Sequence, residues 1–245
     1  MLRVVRGPPH RLVRSFSAAV DGAYTHLLAL RVADGLLHPR MRAIQNEIIQ
    51  REPSLAPSAM PGRRNHLTLF PLRLPTSDDI EAATVALYTC APLVRRMYPT
   101  QPPHVALEGV GTFGEKVLYA ALGERQVAGA TGSLGGLVSA ISHEFAERGL
   151  ISSEIQQREW VPHLTLFKTL RGWGRLSKNR SALSPDAYSD ILVSGLPDHP
   201  LISLDLCGKV GQSRITSFLK VEASVHLSEQ MPRRPYARQT RNSRR

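Results

Sequence analysis

The sequence predicts an α+β protein in two halves related by a pseudo-twofold axis, each half giving one strand to a central cleft. Three observations carry that prediction. The pentapeptide His-Leu-Thr-Leu-Phe occurs twice, at 66–70 and again at 163–167, 97 positions apart, and a repeat of this kind is weighed before anything else. Around each copy, short alternating apolar runs interleave with stretches of helical spacing. Hydrophobic residues make up 42% of the chain, enough for a packed core, yet no apolar run approaches the ~18–20 residues of a membrane span.

The elements follow in order. Tyr24 to Val32 reads as a first strand. Pro39 suits the first turn of a helix, and Met41, Ile44 and Ile48 continue it at helical spacing. Prolines 53, 57 and 61 mark a loop over 54–62. Arg63 and Arg64 then lead into the first pentapeptide, which Pro71 and Pro75 end. Thr76-Ser77-Asp78-Asp79 offers a cap and first-turn acids for a helix. Its apolar face runs through Ile80, Ala83, Leu87, Val94 and Met97, and Pro92 kinks or divides it. His104–Val110 and Lys116–Leu122 read as a hairpin around Gly111-Thr112-Phe113-Gly114. No Gly-Lys-Ser/Thr follows, so that turn is not a P-loop.

A glycine-rich loop at 129–136 opens a helix near Ser133, with Leu134, Leu137, Val138, Ile141 and Phe145 on one stripe and Gly149 as its end. His143 falls on the polar side. Pro162 stands at the start of the second pentapeptide strand, where its missing donor is tolerated. Lys168, Arg171, Trp173, Arg175, Lys178 and Arg180 form a basic stretch behind it. Ser184-Pro185 begins a short helix through Leu192, and 201–210 with 213–227 reads as a closing pair of strands.

The net charge of +11 is concentrated at the ends. Residues 1–20 hold four arginines and no acid, and residues 232–245 hold six and no acid. Between them, residues 21–231 carry 21 basic against 20 acidic side chains. The folded part therefore lacks the bulk basicity of a protein that grips long nucleic acid, which favours a nucleotide or short RNA as ligand. Residues 1–22 form a basic leader; Leu12, Phe16 and Val20 flanked by arginines give it the composition of a mitochondrial presequence. The expected organisation is this leader, one domain at 23–228 and a disordered basic tail at 229–245. A cleaved leader implies a mitochondrial location, an uncleaved one the cytoplasm or nucleus. Cys90 and Cys207 have neither CxxC nor metal spacing and are expected to be reduced core thiols.

In a strand, side chains i and i+2 share a face. His66 and Thr68 therefore point one way and Leu67 and Leu69 the other, and the same holds for His163 and Thr165 against Leu164 and Leu166. Two such strands side by side present two imidazoles and two hydroxyls. One His can take a proton while the other gives one, and two hydroxyls can donate to phosphate oxygens. This chemistry needs no metal and no cofactor. Identical motifs do not say which His is the base. The remaining seven histidines lack the His-x-Thr pattern. Phe113 is placed to stack on a base, and Phe70 and Phe167, one step past each motif, are further candidates for nucleotide contact.

The paired His-x-Thr motifs at this separation resemble those of the two-histidine (2H) phosphoesterase superfamily. The stretches 107–122, 161–170, 184–192 and 204–210 are similar to the domain of A-kinase anchoring proteins of the nuclear-localisation-signal type, and the likeness runs over about 23–228. The resemblance implies a bilobal fold, with antiparallel sheets lining the cleft and helices outside. It implies His66 and His163 as catalytic residues and Thr68 and Thr165 as phosphate-binding ones. It points to a phosphodiesterase of 2′,5′-linked oligoadenylates or 2′,3′-cyclic phosphates; a monomer is expected. The alternative within the same group is a sensor that binds AMP or CMP without turnover. Docking of a kinase regulatory subunit is not expected, because 229–245 has two prolines and no apolar stripe.

Overall fold

The computed structural model describes residues 24–33, 37–61, 66–114, 116–168, 185–191, 198–208 and 219–227. The leader, the tail, Arg63, Arg64 and the basic stretch 171–180 with Trp173 lie outside these residues.

Seven strands form one antiparallel path: β1 (His26–Val32), β2 (His66–Leu72), β3 (His104–Phe113), β4 (Val117–Arg125), β5 (His163–Lys168), β6 (His199–Gly208) and β7 (Lys220–His226). Their order is β2-β1-β6-β3-β4-β5, with β7 on the second edge of β6. The path falls into two halves. In the first, β1 lies between β2 and β6, and β7 pairs with β6 over Ser203–Gly208. In the second, β4 lies between β3 and β5. Among the described residues the strand ladder between them is a short splice, His199 and Pro200 of β6 against Val105 and His104 of β3. The lobes expected from sequence are thus two halves of one continuous sheet.

The helices cover one face. They are α1 (Leu37–Arg51), α2 (Ser77–Thr89), α3 (Ala91–Met97), α4 (Leu134–Glu147) and the single turn α5 (Ser153–Gln156). Met41, Ile44 and Ile48 turn the buried stripe of α1 inward. Thr76 caps α2 in a capping box: its hydroxyl accepts from Asp79 N–H at 3.1 Å while the Asp79 carboxylate takes the Thr76 N–H at 3.0 Å. Pro92 sits in the first turn of α3, where its missing N–H costs nothing, and so divides the two helices rather than kinking one. Ser133 caps α4. The stretch expected as a loop at 54–62 contains a 3-10 helix, Pro53–Ser58.

One apolar core runs under both halves. It takes Leu28 and Leu30 from β1, Leu67 from β2, Leu118 from β4, Leu164 and Leu166 from β5, and Leu204 and Leu206 from β6, with Phe145 of α4 against them. Leu67 and Leu164 are fully buried. Each such leucine contributes about 2 kcal/mol by leaving water. A one-residue slip of either strand would expose its leucines and bury an imidazole and a hydroxyl instead. The core therefore fixes which face carries His66, Thr68, His163 and Thr165. Cys90 and Cys207 are free and buried, and burial pushes both thiols up to about 12.

A candidate two-histidine site

The pentapeptides lie on β2 and β5 in matching surroundings. Each strand has a neighbour on one side, β1 for β2 and β4 for β5, and both ladders shift register at the same place. Leu28 pairs with Phe70 and Ala29 with Thr68, so Leu69 is the extra residue. Leu118 pairs with Phe167 and Tyr119 with Thr165, so Leu166 is the extra residue. A bulge at the fourth position of each motif re-aims the phenylalanine after it. His66, Thr68, His163 and Thr165 stay half-buried on the face away from the helices.

The bulges correct one sequence expectation. Strict alternation places Phe70 and Phe167 beside the histidines as nucleotide contacts. Instead both turn into the core. Phe70 is 3% exposed and meets Phe145 edge-on at 5.3 Å, and Phe167 has no exposed surface. Neither offers a face to a base. Phe113 is corrected as well. It is the last residue of β3 rather than part of a turn, and it is 8% exposed. It stacks on Tyr119 at 4.2 Å and stands edge-on to His163 at 4.8 Å. Phe113 is a wall behind the imidazole, not an open platform.

His163 is the better defined of the two histidines. Its Nδ1 lies 2.7 Å from the Val161 carbonyl. A carbonyl only accepts, so Nδ1 carries the hydrogen and the neutral ring keeps its lone pair on Nε2. Tyr119, stacked on Phe113, adds to the same wall, with its centroid 5.3 Å from that of the His163 ring. Burial against these aromatics lowers the His163 pKa below its ordinary value, and the Val161 carbonyl opposes the shift in part.

The registers reveal residues the sequence reading passed over. Across from His163 and Thr165 stand Ala121 and Tyr119; across from His66 and Thr68 stand Arg31 and Ala29. Gly111 lies beyond Tyr119 on β3, and a Cβ there would come within 2.7 Å of the Tyr119 ring, so its absence makes room for the aromatic. Arg31 pairs with Asp205 of β6, Nε at 2.8 Å and a terminal nitrogen at 2.5 Å. Asp205 is 1% exposed and also accepts from the Ser224 hydroxyl at 2.6 Å. One half of the site is thus lined by a held cation, the other by aromatics. The signal for Arg31 was present: in LLALR, Leu28 and Leu30 claim the core face and leave residue 31 on the other. Among the described residues no three His, Cys, Asp or Glu side chains gather to hold a metal ion, and no helix is long and apolar enough to cross a membrane. His143 is exposed and hydrogen-bonds Gln156, as a surface residue does.

The antiparallel α+β sheet that carries these two His-x-Thr strands in equivalent registers is structurally similar to that of the LigT 2H phosphoesterases. The chain belongs to the AKAP7 2′5′ RNA ligase-like domain family, whose model matches residues 24–227. It is 22% identical to the human A-kinase anchor protein 7 isoform gamma over 204 residues, which is 83% of this chain and 57% of that protein's length. Among solved structures it is similar to Escherichia coli LigT complexed with 3′-AMP, with a TM-score of 0.50, 16% identity and coverage of 84% of this chain and 98% of that one. The Thermus thermophilus protein TT0787 matches with a TM-score of 0.49, 16% identity and coverage of 83% and 97%.

Proposed function

We propose that the chain is a metal-independent phosphodiesterase acting on 2′,5′-linked oligonucleotides or 2′,3′-cyclic phosphates. The observation that carries this reading is the pair of His-x-Thr tripeptides on strands with the same bulge, the same buried leucine face and the same half-exposed imidazole and hydroxyl. Such duplication of a reactive pair, not merely of a strand, is what an in-line displacement at phosphorus uses. That E. coli LigT holds 3′-AMP supports a nucleotide as the ligand class.

His163 acts as the base. Its Nδ1 is occupied by the Val161 carbonyl and its ring is neutral at pH 7, so Nε2 takes the proton from a ribose hydroxyl or a water. The oxygen so freed bonds to phosphorus, and the bond from phosphorus to the departing oxygen breaks. His66, protonated, gives its proton to that oxygen. The Thr68 and Thr165 hydroxyls donate to the phosphoryl oxygens and hold charge as it builds.

The test is a substrate panel with EDTA present: 2′,5′- and 3′,5′-linked dinucleotides and 2′,3′-cyclic phosphates. Turnover of a 2′,5′ linkage or a cyclic phosphate is expected, and His66→Ala or His163→Ala each lowers it by a factor of about 10²–10⁴. Binding of AMP or CMP with no turnover across the panel would replace the enzyme by a sensor.

A further inference from the structure

β2 and β5 stand at opposite ends of the hydrogen-bonding path, yet they pack against each other. Among the described residues no ladder joins them. Besides the core their apolar residues share, two grips that run in opposite directions tie them together. The segment ahead of β2 holds β5. Ala59 bridges Phe167, Met60 N–H donates to the Leu166 carbonyl at 2.8 Å, and Gln45 Nε2 donates to the Met60 and Leu166 carbonyls at 2.7 and 2.8 Å. The segment ahead of β5 holds β2, because Trp160 Nε1–H donates to the Thr68 carbonyl at 2.9 Å. The chain before each motif clasps the strand of the other.

The second grip is the more consequential. The next two residues of the same segment serve the other motif: the Val161 carbonyl receives His163 Nδ1–H, and the Pro162 carbonyl receives Leu122 N–H at 3.1 Å. Residues 160–162 therefore touch the strand of one histidine through an indole and the ring of the other histidine through a carbonyl. We propose that Trp160 is a positioning residue, whose indole N–H sets the separation of the His66–Thr68 strand from His163 so that both imidazoles address one phosphorus. This rests on the phosphodiesterase reading for its consequence, though not for its geometry. The grip on β5 is made largely of main chain, whereas the grip on β2 is a single side-chain N–H. Its loss leaves the Thr68 carbonyl to be satisfied by water, so the global fold is little affected while the strand gains freedom. Misplacement by a fraction of an ångström is costly for a reaction that needs aligned groups.

Trp160→Phe keeps the partly buried ring that packs on the core and removes only the donor. In the full chain, kcat is expected to fall ~10-fold with KM unchanged, and thermal stability is expected to change little. Hydrogen–deuterium exchange of the amides of 66–72 is expected to quicken while that of β4 stays as it was. Wild-type kcat in Trp160→Phe, or a lowered kcat with unchanged exchange in β2, overturns the proposal. If the wild-type chain turns over nothing on the panel, the phosphodiesterase reading fails by itself. The exchange experiment then decides the clasp alone, and unchanged β2 protection overturns it.

Discussion

An imidazole that must accept a proton at neutral pH works best when it is neutral beforehand. His163 meets that requirement through burial against Phe113 and Tyr119, which holds its pKa below 6.5. As the base it is active above that lowered pKa, so the acid limb of the kcat/KM profile should lie below pH 6.5. Phe113→Ala admits water to the ring and should move the limb up toward the ordinary value. NMR titration of the His163 ring protons checks the same shift without relying on turnover. An acid limb at or above 6.5 that is indifferent to Phe113 would give the base role to His66. The phenylalanines after the motifs make a separate prediction. Phe167 is wholly buried, so Phe167→Ala should cost about 3–5 kcal/mol of stability through the cavity it leaves. Urea unfolding measures this, and nucleotide affinity per folded molecule should be retained.

At the scale of elements, the features that could be read from sequence are those that obey a period. The leucines of HLTLF alternate with His and Thr, and that pattern alone places the reactive face. Met41, Ile44 and Ile48 predict α1, and the stretch Thr76–Asp79 predicts the start of α2. The bulges at Leu69 and Leu166 were not legible, because nothing in a leucine announces an extra residue; they depend on what the neighbouring strand does. Strict alternation therefore puts Phe70 and Phe167 on the wrong face, and the glycines at 111 and 114 suggest a turn around Phe113 that begins only at Gly114, where φ is 55°. The pairing of Tyr119 with Thr165 was hidden for the same reason, since register belongs to two strands at once. It can be tested through β3. A Cβ at Gly111 meets the Tyr119 ring at 2.7 Å, whereas one at Gly109 meets nothing within 4 Å. Gly111→Ala should displace Tyr119 from beside His163 and cost about 1–3 kcal/mol by overpacking, with a marked loss of turnover. Gly109→Ala, on the same strand, should leave both unchanged. Thermal melts and rates on the pair of variants decide it.

For the whole molecule, the arrangement that joins the halves was beyond a local reading. β6 pairs with β1 and β7 and then reaches β3 through two residues. Such contacts span most of the chain and leave no periodic trace. The same assembly buries histidines that lie outside the His-x-Thr motifs. His199 sits at the splice, 5% exposed, and its Nε2 has no partner among the described residues. His26 lies under β6 and β7, 6% exposed, near Glu222 and Lys220. Burial lowers the pKa of both, as it does for His163; Glu222 and Asp198 oppose the shift for His26 and His199 respectively. All three bind protons more weakly folded than unfolded. Their contribution to stability is therefore fully present above the unfolded value near 6.5 and is lost as pH falls through the lowered folded values. Urea unfolding should accordingly show stability level from pH 8 to about 7 and declining below about 6.5. His199→Phe removes one of the three groups together with an unsatisfied buried nitrogen. It should make the decline shallower and leave stability at pH 7 unchanged or raised by about 1 kcal/mol. A decline as steep as in the wild type would mean that His199 takes up its proton without cost, and that the splice between the halves is open to water.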